Sequence, residues 1–238
     1  MSRHNKRYDA PTEKWGIPTK EFFWAPKEEP GPHPSDRSVP LKVILRDILE
    51  YSNTSREAKK VLADRKIKVD GKIVTDGERP TGLMDVVSME DLDEDYRILF
   101  DQRGRIRLIP IDGSQAEWKL AKIEDKTSLK DGITQYNFHD GRNIRSKDED
   151  KFGTNDVLKI QLPSQEPLES YEFKEGMMAL VTGGKHIGEI GTIEEIEVIR
   201  GPQPNFVHFE SGISTIEKYA FVIGKDTPTI EIPEVGIV

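Results

Sequence analysis

From Pro40 the chain reads PLKVILRDILEYS, and Leu41, Ile44, Leu45, Ile48 and Leu49 recur every three to four positions. That spacing lines one face of an α-helix. Pro40 suits the entry to a first helical turn, where a missing amide proton costs nothing. A second helix is predicted over SREAKKVLAD, with Ala58, Val61 and Leu62 inward and Lys59 and Lys60 outward. Thr54, followed by Glu57, has the spacing of a capping box that would start this helix. The apolar period then changes to two: Ile67 and Val69 alternate with Lys66 and Lys68, Asp70-Gly71 offers the turn, and Lys72 to Val74 return. Such a pattern predicts a tight hairpin with its apolar face against the helices. Helix, helix and hairpin form one compact unit, placed at 41–91.

On either side the pattern differs. Residues 1–40 hold seven prolines, the spaced rings of Tyr8, Trp15, Phe22, Phe23 and Trp24, and the cations Arg3, Lys6 and Arg7. A segment of this kind cannot close a core alone; it predicts an extended arm whose rings anchor on another surface. Over 92–170, short β segments such as YRILFDQRGRIRLIPID, WKLAKIED, GITQYNFHDGRNI and DVLKIQLP are broken by Gly, Asp and Pro, which predicts a small antiparallel β domain. Over 171–238, glycines recur between β-branched residues in MALVTGGKHIGEIGTI, a pattern that suits the bends of a small SH3-like barrel. The expected fold class is α+β and multi-domain.

Composition adds that the molecule is polar and lacks thiol chemistry. Hydrophobic residues make up 35% of the 238 positions and charged residues 33%, enough for several small cores under a wet surface. With no cysteine there is no disulfide framework and no thiolate zinc site, so a reducing, cytoplasmic setting is expected. No apolar run approaches the length of a membrane span, and the basic start of the chain lacks the apolar stretch of a secretory signal. Neither membrane insertion nor secretion is expected.

Charge changes the picture most. The formal net charge is −8, which argues against a polyanionic partner, yet it is unevenly distributed. Between Leu41 and Lys72 nine basic residues face five acidic ones, so this stretch carries +4 and leaves −12 for the remainder. Asp85 to Asp95 contains six acids and no base. If the hairpin lysines project together beside those of the second helix, an acidic protein presents one concentrated cationic face, and a nucleic-acid backbone is the expected partner.

Catalytic patterns are missing. In GGKHIGEIG a phosphate-binding loop would need Gly at position 179 and Ser or Thr at 186; Ala179 and His186 stand there. His4, His33, His139, His186 and His208 fall in five separate segments, without metal-ligand spacing. No enzyme, cofactor, metal or small-molecule substrate is expected.

The order of parts resembles a known family. GPHPSDRSVPLKVILRDILEY with TSREAKKVLADRKIKVDGKIVTDGERPTGLMDVVSM looks like the RNA-binding module of the small-subunit ribosomal protein S4e family of archaea and eukaryotes. FDQRGRIRLIPI and HDGRNIR resemble its central domain, MALVTGGKHIGEIGTI its KOW motif, and FVIGKDTPTIEIP its closing strands. The resemblance implies a non-enzymatic constituent of the small ribosomal subunit that binds rRNA beside neighbouring ribosomal proteins. An extra-ribosomal RNA-binding or transcription-associated regulator built from the same modules is the alternative. Carried over by position, the RNA contacts would come from four groups: Arg3, Lys6, Arg7 and His33 of the arm; Lys42, Arg46, Arg56, Lys59, Lys60, Arg65, Lys66, Lys68, Lys72 and Arg79 of the helix-hairpin module; Arg103, Arg105, Arg142 and Arg145 of the central domain; and Lys185 and His186 of the KOW loop. Its 43 acids against 35 bases depart from the usual basic composition of such proteins. A salt-rich archaeal cytoplasm would account for that excess, because screening shortens the reach of distant charge.

Overall fold

The computed structural model describes residues 4–147 and 151–232. The chain divides into two compact units, one formed by 1–99 with 105–119 and the other by 100–104 with 120–238.

In the first unit the arm is structured. β1 (His4–Lys6) pairs antiparallel with β2 (Trp24–Pro26), and α1 (Thr12–Trp15) lies between them in sequence. Gly16 ends α1 in the left-handed conformation, with φ of 69°, and donates its amide back to the helix, as a glycine C-cap does. Trp15 is buried and donates its indole N–H to the Ser38 carbonyl at 2.9 Å. The arm is thus held by a ring, as the spaced aromatics suggest, but it folds back on its own chain.

β3 (Ser38–Pro40) leads into α2 (Leu41–Val43), which continues as a π-helical turn over Ile44–Ile48. The expected helix through Leu49 is therefore only partly α-helical. In the wider turn the Leu49 amide bonds to the Ile44 carbonyl, Ile44 and Leu45 stay buried, and Asp47 sits within reach of both Arg7 and Arg46. α3 (Ser55–Ala63) starts with the expected capping box: Thr54 Oγ1 accepts from the Glu57 amide at 3.2 Å, and the Glu57 carboxylate accepts from the Thr54 amide at 3.1 Å. Ala58 and Leu62 are buried.

The hairpin forms between β4 (Ile67–Val69) and β5 (Lys72–Ile73), and Asp70 and Gly71 both have positive φ, as a primed turn requires. β6 (Pro80–Gly82) pairs with β3. β4 also pairs with β7 (Val86–Met89), which pairs with β8 (Glu94–Phe100), and β9 (Ile106–Ile111) completes the order β5-β4-β7-β8-β9. The segments around Gly104 thus extend the hairpin sheet; placing them in a separate domain from residue 92 is corrected by this pairing. Ile67, Val69, Val87 and Ile98 share one face of that sheet and are buried, as are Leu41, Val43 and Leu62 of the helical segments.

This core also contains charge. Lys119 Nζ donates to Asp70 Oδ2 and Asp85 Oδ1, each at 2.9 Å, and none of the three side chains is more than 3% exposed. Asp70 and Asp85 also accept from the Val86 and Gly82 amides, and His33 Nε2 lies 2.9 Å from Asp85 Oδ2. Burial alone would raise the Asp85 pKa, but the facing His33 and Lys119 outweigh it and hold it well below the usual carboxylate range.

In the second unit, β10 (Trp118–Ser128), β11 (Thr134–Phe138), β12 (Asn143–Ser146), β13 (Val157–Gln161) and β14 (Pro167–Tyr171) form a sheet ordered β12-β11-β10-β13-β14. Ala121, Ile123, Tyr136, Phe138, Leu158 and Ile160 make its core. A second sheet, ordered β18-β17-β16-β15-β19, comprises β15 (Met178–Val181), β16 (Ile190–Glu197), β17 (Phe206–Phe209), β18 (Ser214–Ile216) and β19 (Ala220–Gly224). Lys122 ties the two together. Its Nζ donates to the carbonyls of Glu217, Lys218 and Ala220 at 3.3, 3.0 and 2.7 Å, and burial pushes its pKa down to about 8.

Candidate nucleic-acid interface

The capping box fixes the rotation of α3, and with Ala58 and Leu62 turned into the core, Arg56, Lys59 and Lys60 share its exposed side. Arg65 follows in the left-handed conformation just past the helix end and is also exposed. Among the described residues no ion pair holds any of these four cations, nor the exposed Lys72 of β5 and Lys6 of β1. Their charge is available to a partner.

The hairpin lysines behave differently. Ile67 and Val69 are buried and Lys66 and Lys68 partly exposed, as period-two alternation predicts. Lys66, however, pairs with Asp91 and Lys68 with Glu90, both from the acidic segment between β7 and β8. The hydrogen bond and charge of Asp91 raise the Lys66 pKa. The expectation of one open cationic face over helix and hairpin is therefore corrected: Lys66 and Lys68 are already matched by carboxylates, while the α3 cations and Lys72 are open. The pairs are solvent-exposed, and exposed ion pairs hold weakly enough for a phosphate to exchange with the carboxylate.

Three further candidates are corrected by burial. Arg7 is 1% exposed, donates to the Pro18 carbonyl at 2.7 Å and to Asp47 at 3.2 Å, and so braces the arm. Lys42 is 3% exposed beside Glu78 at 3.6 Å, with its pKa lowered by desolvation. His33 belongs to the Asp85 network. A solvated phosphate cannot reach these groups without unfolding their surroundings. Arg46 is nearly as enclosed, 8% exposed, and is shared between Asp47 at 2.7 Å and Ser55 at 2.8 Å. Arg3 lies outside the described residues. Arg79 and Arg105 are half-buried in the first unit.

In the second unit Arg103 and Lys185 are exposed. Arg145 is exposed with its Nε 3.3 Å from Gln135 Oε1, Arg142 pairs with Asp140 at 3.2 Å, and His186 Nδ1 lies 3.1 Å from Glu189 Oε1.

Beside α3 the structure adds a feature not among the sequence candidates. A cleft of about 530 Å³ opens between α3 and β2. One wall is Phe22, Phe23 and Trp24 with Ala25 and Pro26; the other is Lys42, Arg46, Ser55, Arg56 and Lys59. Three rings and four cations line it, and not one carboxylate, in a chain with 43 acids. Phe22 is clamped between guanidinium groups, with Arg7 at 5.2 Å and Arg46 at 4.9 Å from its centroid, within cation–π range. Phe23 and Trp24 meet edge to face at 4.7 Å and stay 66% and 53% exposed. The run Phe22-Phe23-Trp24 carried a signal for this wall; what it could not show is that β1 pairing turns that run toward α3.

Comparison with known proteins now bears on the whole chain. A sequence profile described as Ribosomal family S4e matches residues 92–167, and one described as the RS4NT (NUC023) domain matches residues 1–36. Small ribosomal subunit protein eS4 of Methanothermobacter thermautotrophicus is 44% identical over 235 residues, covering 97% of this chain and 96% of that protein. The chain belongs to the S4e family. Small ribosomal subunit protein eS4 of Methanocaldococcus jannaschii is another S4e relative, 42% identical over 241 residues and 97% of each chain. The crystal structure of the 30S ribosomal protein S4e from Thermoplasma acidophilum matches with a TM-score of 0.71 at 34% identity, covering 80% of this chain and 97% of that one. S4e proteins are ribosomal structural proteins and not enzymes. Among the described residues no helix is long and apolar enough to cross a membrane.

Proposed function

We propose that this chain is a structural constituent of the small ribosomal subunit, working in the cytoplasm on the ribosome, and that it grips rRNA mainly through the exposed side of α3. The observation that carries this reading is the run of Arg56, Lys59 and Lys60, continued by Arg65, exposed and held by no ion pair among the described residues, while Lys42, Arg46, Lys66 and Lys68 of the same unit are matched by carboxylates. Phosphate contacts made by such a stripe position a folded RNA without reading its sequence. Lys6 and Lys72 add exposed cations in the same unit, and Arg103, Arg145 and Lys185 supply separate phosphate contacts from the second unit. The five-stranded sheet of β15 to β19 acts as the KOW barrel in this reading, and the remaining acidic surface faces neighbouring ribosomal proteins or solvent.

Reconstitution of small subunits tests the assignment. Reversing Arg56, Lys59 and Lys60 together to Glu is expected to abolish co-sedimentation with the subunit and to weaken rRNA binding by roughly tenfold or more. Because all three side chains are exposed, far-ultraviolet circular dichroism should not change. Normal incorporation of that variant would overturn the assignment.

A further inference from the structure

We infer that the cleft between α3 and β2 captures an unstacked nucleobase from a single-stranded segment of RNA, with the base lying on Phe23 and Trp24 and its phosphate held by Arg56 and Lys59. This inference rests on the RNA-binding reading above and adds to it what is bound: unpaired nucleotides in addition to helical backbone. Three observations point to that ligand. The exposed rings offer π faces at one wall, and stacking is how proteins hold bases that have left a helix. The facing wall is cationic and, together with the rings, free of carboxylates, which matches a ligand that is aromatic at one end and anionic at the other. The volume of about 530 Å³ suits a single small ligand rather than a helix.

The rest of the wall is preorganised. Phe22 is fixed by its two guanidinium neighbours, Arg46 is fixed by Asp47 and Ser55, and the β1–β2 pairing sets the backbone of Trp24 opposite Lys6. Phe23, Trp24, Arg56 and Lys59 are open at the mouth, beside a Phe22 ring that is itself 41% exposed. A neighbouring protein inserting an acidic, aromatic segment is the competing occupant.

Full-length protein decides between them, with a short oligoadenylate and a blunt RNA duplex as probes. Oligoadenylate should quench the tryptophan fluorescence of the wild type, since of the three tryptophans Trp24 is exposed, Trp15 is buried and Trp118 is half-buried under the Arg97 guanidinium, 4.3 Å from its ring centroid. Trp24→Leu should remove that quenching and weaken oligoadenylate roughly tenfold, with duplex affinity unchanged. Unchanged oligoadenylate affinity in Trp24→Leu, or equal losses on both probes, would overturn the stacking inference. If the α3 charge-reversal variant still loses both probes in that event, the RNA-binding reading survives alone. If the wild type binds neither probe, both readings fall. In assembled subunits a photo-crosslinker at position 23 should attach to nucleotides; attachment to a ribosomal protein instead would overturn the inference in favour of the competing occupant.

Discussion

Lys119 shows what a single residue carries in this fold. Its ammonium faces two carboxylates, Asp70 and Asp85, with almost no solvent, so the three charges are tolerable only together. Lys119→Met would leave two buried carboxylates without their cation and should destabilise the first unit by about 3–5 kcal/mol, read as a lower denaturant midpoint. The pH dependence has a definite sign. Because the folded Asp85 pKa lies below its unfolded value, its contribution is present above the ordinary carboxylate pKa and is lost as pH falls below about 4. Wild type should therefore lose stability below that pH more steeply than Lys119→Met, and parallel acid-unfolding curves would refute this account. None of this was legible beforehand: Asp70 read as a turn residue, and Lys119 lies 49 positions further along in a predicted strand. The cations of α3 were legible, since Ala58, Val61 and Leu62 fix which side of the helix faces in. Arg7, His33 and Lys42 read as surface charge because a linear pattern does not show which cations meet a distant acid such as Asp47, Asp85 or Glu78.

At the scale of elements, the hairpin and the acidic run after it belong together. β7 pairs with β4, so the residues following β7 emerge beside Lys66 and Lys68, where Glu90 and Asp91 occupy the lysines before any RNA arrives. The two carboxylates then compete with phosphate for the same ammonium groups. Glu90→Gln with Asp91→Asn should tighten rRNA binding severalfold, roughly twofold to tenfold, at low ionic strength, with the gain vanishing in concentrated salt. A filter-binding or fluorescence titration showing equal or weaker affinity would refute the competition. Alternation alone made the strand, its turn and its inward face legible, and the capping box made the start of α3 legible to the residue. The acidic run was visible as composition, but its position required the β4–β7 pairing, which joins segments that no local pattern connects. The π-helical turn over Ile44–Ile48 was hidden for a related reason: the apolar spacing there fits an α-helix, and the Arg7 contact of Asp47 within the wider turn comes from a segment 40 positions away.

For the whole molecule, the order of motifs led to the family, while the number of folding bodies came from contacts that no motif records. The sequence suggests four consecutive modules; the structure has two units, because the arm and the strands on both sides of Gly104 join the helix-hairpin core, and the last two β sheets form one body. Lys122 explains the second merger. An ammonium on β10 holds three main-chain carbonyls next to β19, as many as 98 positions downstream, and Glu217 of the same turn accepts from Asn155 and Asn205. A fragment covering 171–238 should accordingly unfold at a lower denaturant concentration than the same strands do in the full chain; equal midpoints would show that the sheet stands alone. The stretch over 171–238 reads as an independent passage of text. Here its last turn is completed by a lysine from another passage, so what is separate as sequence is not separable as a folding body.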